Sequence, residues 1–350
     1  MVNSLAIAHG DWIWPEIIDQ GERVIKHFLP NIDLKNVLIG HASILETWKP
    51  ITKETIDIMR NSTAVLLWSV GHPSYGIDAE IRPEQWLLTM RKELETFANI
   101  RPIQTFSALS NSTPFKSETV SQVDFQIFRE LTSGIYFWEK WRSKNSAYDK
   151  MQYTEDEIQR IWKKAFEAAI DRESKVSLVV KDNVLETSKL WVEVINKLHR
   201  LNYPQVKLES LLVDSVTARL NENPKSFDVL LTGNLFWDIL SDQSATLLWS
   251  LWMWPSASIG ENNFWIYEPI HGSAPDIAGK DIANPIATIL SVGMMLEISF
   301  GMKNASEKIR KSVEQTLTLY RTKDIAEKGY EIIWTRRMWE EILRNLESLS

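Results

Sequence analysis

Cysteine is absent from all 350 residues, which excludes disulfides, thiolate nucleophiles and sulfur-ligated zinc. No lysine- or arginine-rich tract occurs and the net charge is −7, so nothing points to nucleic acid or an anionic membrane surface. Any anionic substrate must be met by a local basic pocket. No apolar stretch approaches the roughly 20 residues of a membrane span. No basic segment followed by an apolar run opens the chain, and a soluble cytoplasmic protein is expected. No G-x-G-x-x-G or Walker loop follows a strand-like run, so the common nucleotide fingerprints are missing. Glycine is scarce too, at 13 residues, and it is scarce where turns want it.

What stands in those turns is tryptophan, of which there are 16. Examples are His9-Gly10-Asp11-Trp12-Ile13-Trp14-Pro15-Glu16, Asn234-Leu235-Phe236-Trp237-Asp238 and Trp249-Ser250-Leu251-Trp252-Met253-Trp254-Pro255. Otherwise the composition is that of a folded globular protein, 44% hydrophobic and 24% charged, long enough for about two domains. Short apolar runs alternate with amphipathic stretches, the βαβα pattern of a largely parallel sheet. Residues 5–8, 64–67, 176–180 and 227–231 read as buried strands. Thr154 with Glu157 forms a capping-box pattern, after which Ile158, Ile161, Ala165, Phe166 and Ala169 recur at helical spacing. Residues 185–200 and 306–320 read as further helices.

Four features carry chemistry. Asp214 follows the apolar pair Leu212-Val213. If residues 236–242 are helical, Asp238 and Asp242 share a face. With a third carboxylate they suit a hard divalent cation that keeps water and binds substrate oxygens, although spacing alone favours acids in a solvated first turn. Lys181 follows the run 176–180, at the strand end where open α/β sheets bind ligands. Desolvation or a nearby cation would make it a usable base; the alternative is a surface lysine. Tyr136, in the segment 129–137, either donates a proton or packs in the core. Arg91, Arg101 and Arg129 suit bidentate grips on carboxylates, or plain surface ion pairs. Residues 268–280 form a turn-rich loop, in which His271 alone says little.

In chain order, the segments Leu87-Leu88-Thr89-Met90-Arg91-Lys92-Glu93, Asn99-Ile100-Arg101-Pro102, 129–137, Lys181-Asp182-Asn183-Val184-Leu185-Glu186, 234–242 and 268–280 resemble the isocitrate/isopropylmalate dehydrogenase family, and its 3-isopropylmalate members in particular. The match runs nearly the whole chain; so many ordered segments are specific where no single one is. The resemblance implies an α/β fold with an open sheet in two domains, not a Rossmann domain. Residues 1–98 and 250–350 would form a discontinuous cofactor domain, and residues 99–249 the substrate and dimerisation domain.

The implied reaction is oxidative decarboxylation of 3-isopropylmalate to 2-oxoisocaproate with NAD, in leucine biosynthesis. Arg91, Arg101 and Arg129 would hold the malate carboxylates, with Asp214 also at the substrate. Leu87 and Leu88 offer the isopropyl group an apolar patch where an isocitrate enzyme would want polar groups. Asp238 and Asp242, with Asp214 of the partner subunit, would ligate Mg²⁺ or Mn²⁺, and the catalytic pair would be Tyr136 and Lys181 of the partner subunit. Gly71, Gly272, Ser273, Ala274, Pro275, Asp276, Ile277 and Asn284 would bind the cofactor, Asp276 and Ile277 looking like an NAD-type rather than an NADP-type site. A site shared across subunits implies a homodimer. An inert or decaying copy, and a relative acting on tartrate or homoisocitrate, are the alternatives.

The family pattern has glycine at Trp12, Trp14, Trp48, Trp68, Trp86, Trp138, Trp237, Trp249, Trp252, Trp265, Trp334 and Trp339. His9, Ser43, Thr52, Phe128 and Asp182 depart from it too, and one class of base transversion yields all these changes. A left-handed backbone costs a non-glycine residue roughly 1–2 kcal/mol, and overpacking commonly costs about 1–3 kcal/mol. Not every site need be strained or buried; Trp237, beside Asp238, is expected to matter most for the chemistry, Trp68 to crowd the nicotinamide loop, and Trp12 and Trp14 the first βα turn.

Overall fold

The computed structural model describes residues 4–72, 75, 85–260 and 264–349, except the side chains of Pro15, Gln85 and Leu88. The expected contact of Leu88 therefore lies outside the described residues. The chain divides into two compact units, residues 1–95 with 249–350, and residues 96–248. Among the described residues no helix is long and apolar enough to cross a membrane.

In the first unit, β1 (Ser4–His9), β2 (Asp33–Leu38), β3 (Ala64–Leu67), β11 (Pro255–Ile259) and β12 (Trp265–Pro269) lie in the order β2-β1-β3-β12-β11. All neighbours run parallel except β11 and β12. The runs of β1 and β3 are almost wholly buried, as strands covered on both faces must be. Helices α1 (Trp14–Phe28), α2 (Gly40–Thr47), α3 (Lys53–Arg60), α4 (Gln85–Glu93), α10 (Ile286–Ile298), α11 (Lys303–Leu317) and α12 (Thr335–Ser348) complete it, with the short pair β13 (Tyr320–Arg321) and β14 (Glu331–Ile332). One side of the core gathers Ala6, Val37, Met59, Val65, Trp86 and Ile266.

The second unit carries β4 (Ala98–Gln104), β5 (Asp124–Glu130), β8 (Lys175–Val180), β9 (Lys207–Leu212) and β10 (Val229–Thr232) in the order β4-β5-β10-β8-β9. Only β4 and β5 are antiparallel. Around them lie α5 (Ser117–Val120), α6 (Glu155–Ile170), α7 (Glu186–Asn202), α8 (Val213–Glu222) and α9 (Asn234–Ala245). Both halves of the Thr154–Glu157 capping box form, and the helix that follows buries Ile158, Ile161, Ala165, Phe166 and Ala169. A hairpin of β6 (Lys140–Arg142) and β7 (Ala147–Asp149) exposes all its residues, with Trp141 stacked on Tyr148.

Two elements differ from expectation. The helix expected over 306–320 spans Lys303–Leu317. The N–H groups of Thr318 and Leu319 bond three residues back, to Gln315 and Thr316, which tightens and ends the helix, and the buried Arg321 satisfies the Leu317 carbonyl left over. The strand expected from residue 227 begins at Val229, because the Phe227 N–H is taken by the short turn Pro224–Ser226, donating to the Pro224 carbonyl at 3.3 Å.

Two kinds of tryptophan stand out. Of all sixteen, only Trp12, Trp48 and Trp249 have positive φ, at 68°, 60° and 73°, and these three are 38%, 80% and 37% exposed. Trp68, Trp86, Trp237 and Trp339 are at most 2% exposed and have ordinary negative φ. Left-handed backbone and deep burial thus fall on different residues, and the left-handed part of the expected strain is confined to Trp12, Trp48 and Trp249. Trp68 packs against the helical glycine Gly21, whose missing Cβ would lie 3.5 Å from the indole. The four buried indole N–H groups find no acceptor among the described residues; each such orphan costs about 1–3 kcal/mol.

Candidate active site

The N-terminal part of α9 and the segment after β5 are built into one piece. Gly134 has φ +77°, and a Cβ there would meet the Tyr153 hydroxyl at 2.2 Å, so only glycine lets the short turn Gly134–Tyr136 run past that ring. The Tyr153 hydroxyl accepts from the Asn234 N–H at 2.9 Å. Asn234 is wholly buried and uses its whole carboxamide: Nδ2 donates to the carbonyls of Leu131 and Ser133, and Oδ1 accepts from Arg129 Nε at 2.8 Å. Beneath it the buried Glu130 accepts from the N–H groups of Thr132 and Ser133 and from Arg160 at 2.9 Å. Burial pushes its carboxyl above the usual range, and Arg160 opposes that shift.

Tyr136, Arg129 and Asp238 come together on this frame. The Tyr136 hydroxyl donates to Asp238 Oδ2 at 3.3 Å, and Arg129 Nη2 stands 3.5 Å from Oδ1 of the same carboxylate. Partial burial and the neighbouring Asp238 charge both raise the Tyr136 hydroxyl's pKa. Asp242 follows one turn later on α9 and is exposed, as is Asp238. Arg101, on β4, donates to Ser241 Oγ at 3.3 Å. The ring of Trp237 lies under both arginines, 3.9 Å from the Arg101 Cζ and 4.0 Å from the Arg129 Cζ.

Lys181 and Asp214 form a second group, at the ends of β8 and β9. Lys181 Nζ donates to Asp214 Oδ1 at 2.7 Å, and this bond holds the Asp214 carboxyl below the usual carboxylate range. The Lys181 N–H donates to Ser188 Oγ, which fixes the chain as it leaves the strand. Among the described residues of one chain, no group of three or more His, Asp and Glu side chains is gathered as a cation site.

The first unit carries Arg91 in the last turn of α4, where Leu87 packs partly against the core. Its loops are tied together by buried or bridging carboxylates. A Cβ on Gly10 would meet the Ser69 carbonyl oxygen at 2.2 Å, so glycine is required where the turns after β1 and β3 touch. Asp11 accepts from the N–H groups of Gly71 at 3.0 Å and His41 at 3.2 Å. Glu16 accepts from the N–H groups of Gly279 and Asp281, clamping the loop that holds Gly272, Ser273, Ala274, Pro275, Asp276 and Ile277. Ser273 Oγ donates to the Gly71 carbonyl at 3.3 Å, and around Gly272 the space is open. Asn284 is buried; its Nδ2 donates to Asp324 and its Oδ1 caps the first turn of α10. His271 is buried against Trp252, rings 3.9 Å apart, and burial lowers its pKa to about 4.

Chemically, the second unit offers guanidinium groups for carboxylates, oxygen donors for a hard cation and a hydroxyl kept protonated. The first unit offers an open, backbone-lined loop with an exposed carboxylate at Asp276. Sequence reasoning missed Asn234 and Ser241 as the partners of the arginines. The signal for them was their spacing on the helix, Asn234 four residues before Asp238 and Ser241 three after it.

A sequence model of the family described as isocitrate/isopropylmalate dehydrogenase matches residues 4–342. The chain is 46% identical to a 3-isopropylmalate dehydrogenase of Aquifex aeolicus, covering 99% of this chain and 97% of that protein. It is 44% identical to one of Nitrosomonas europaea, covering 98% and 99%. Among solved structures, an isocitrate dehydrogenase of Methylococcus capsulatus superposes with a TM-score of 0.86 at 30% identity, covering 98% of this chain and 99% of that one.

Proposed function

The chain belongs to the isocitrate/isopropylmalate dehydrogenase family, and from that premise we propose that it oxidises 3-isopropylmalate with NAD⁺ and decarboxylates the product to 2-oxoisocaproate. The substrate follows the relatives of that name at 46% and 44% identity, against 30% for the isocitrate enzyme. The observation that carries the chemistry is the Asp238 carboxylate, with the Arg129 guanidinium on one oxygen and the Tyr136 hydroxyl on the other.

Arg91, Arg101 and Arg129 would take the malate carboxylates through in-plane hydrogen bonds, and Leu87 and Leu88 would meet the isopropyl group. Asp238 and Asp242, exposed oxygen donors one turn apart, fit a hard divalent cation, and Asp214 of the partner subunit would be the third ligand. Bound there, Mg²⁺ or Mn²⁺ supplies Lewis acidity at the C2 oxygen. Gly71, Asn284 and the loop 272–277 would hold NAD⁺, which would supply the acceptor for the C2 hydride. The Asp276 carboxylate suits a ribose hydroxyl and would repel a 2′-phosphate. Lys181 of the partner subunit would take the C2 hydroxyl proton as the hydride leaves. The C3–carboxylate bond then breaks to release CO₂, and the electron pair left at C3 takes a proton from the Tyr136 hydroxyl.

A homodimer would complete this site. The exposed β6–β7 hairpin supports it, since an isolated two-stranded hairpin is at best marginally stable in water and a second copy would cover it. A folded but inert copy is the second reading, favoured by the bulk of Trp237 next to Asp238. The test is NADH formation from 3-isopropylmalate, NAD⁺ and Mg²⁺. Turnover that a chelator abolishes is expected. A folded dimer that does not turn over 3-isopropylmalate would overturn the proposal, and turnover of tartrate or homoisocitrate in its place would put the alternative substrate in its stead.

A further inference from the structure

We propose that Trp237 is a positioning residue for substrate binding, its buried indole holding the guanidinium groups of Arg101 and Arg129 by their faces. The inference rests on the reading of those two arginines as carboxylate grips. A guanidinium has two distinct kinds of surface. Its N–H groups point outward in its plane and meet oxygens there, while its flat faces stack on aromatic rings. The Cζ atoms of both groups lie over the Trp237 ring, 3.9 and 4.0 Å from its centroid, close enough for a flat face to meet it. Oxygen partners take the edges, Asn234 on Arg129 and Ser241 on Arg101.

Trp237, Asn234 and Ser241 all lie on α9, as does Asp238, which stands 3.5 Å from Arg129 Nη2. Asn234, Trp237 and Ser241 are spaced by three and four residues, which puts them on one face of a helix. A single rigid element thereby orients two long side chains that come from different strands, β4 and β5. The ring also lessens the cost of bringing two like charges together, because its negative face meets each cation away from bulk water. The indole is 1% exposed and its N–H finds no acceptor among the described residues. Its polar edge gains nothing from this position, whereas its π face meets both cations. The ring stands at a position where related sequences are expected to have glycine, so the stack would be a device of this chain.

The test compares Trp237→Phe, Trp237→Leu and Trp237→Gly in the full-length protein. Loss of the ring in Trp237→Leu and Trp237→Gly should raise KM for 3-isopropylmalate, and its calorimetric Kd, about tenfold, with kcat changed far less. Trp237→Phe keeps a ring face and should stay within about threefold of the parent. The Arg101 and Arg129 Nε–H resonances should be ring-current shifted in the parent and lose that shift in Trp237→Leu. Equal KM values in all four proteins would overturn the proposal. So would tighter binding in the leucine or glycine variant, which would make the indole an obstruction, or unshifted arginine resonances in the parent. The resonance measurement needs no turnover: shifted arginines in a protein that oxidises no 2-hydroxy diacid would refute the proposed reaction and leave the stack standing.

Discussion

Lys181 Nζ stands 2.7 Å from Asp214 Oδ1, pairing within one chain the two residues proposed to serve the neighbouring subunit's site. They arrive as a unit, the end of β8 joined to the first turn of α8. Two chains are needed if that reading holds, because Asp238 belongs to the other half of each site.

Subunit sharing has a direct consequence. Asp214→Asn and Asp238→Asn should each abolish NADH formation as homodimers. Co-expressed, the two chains form hybrids in which one site carries both lesions and the other none, so roughly a quarter of parental activity should return. Activity that stays at background in purified hybrids would mean that each site is built from a single chain.

Trp48 ends α2 in the left-handed conformation at φ 60° and is 80% exposed. Glycine is the residue that adopts this cap without strain. Trp48→Gly should therefore stabilise the protein by about 1 kcal/mol, read as a higher urea midpoint at unchanged slope. Trp68→Gly, at a buried site with ordinary φ, should instead destabilise it by opening a cavity.

His271 makes stability depend on acid. Burial depresses its pKa from 6.5 to about 4, so the unfolded chain binds the proton more tightly than the native one. Its contribution is fully present above pH 6.5 and is lost as pH falls toward about 4, a loss on the order of 3 kcal/mol. His271→Gln should flatten the difference in urea midpoint between neutral and mildly acidic solution. An unchanged difference would show that His271 does not charge in the unfolding transition.

The sequence by itself determined the ordered family segments, the buried strands, the Thr154 capping box and the helix that carries Asp238 and Asp242. Each of these is written within a few residues, as a run, a cap or a helical spacing. Tertiary structure decided which tryptophans are strained and which are merely buried, because φ and packing at Trp48 or Trp68 depend on the turn or the neighbour they meet. It also decided that Arg101 and Arg129, from two strands, share Trp237 and take Asn234 and Ser241 as partners. Arg129 and Asn234 are 105 positions apart, and no local pattern reports a contact over that separation. Only the parallel pairing of β5 with β10, which delivers α9 beside the end of β5, brings them together.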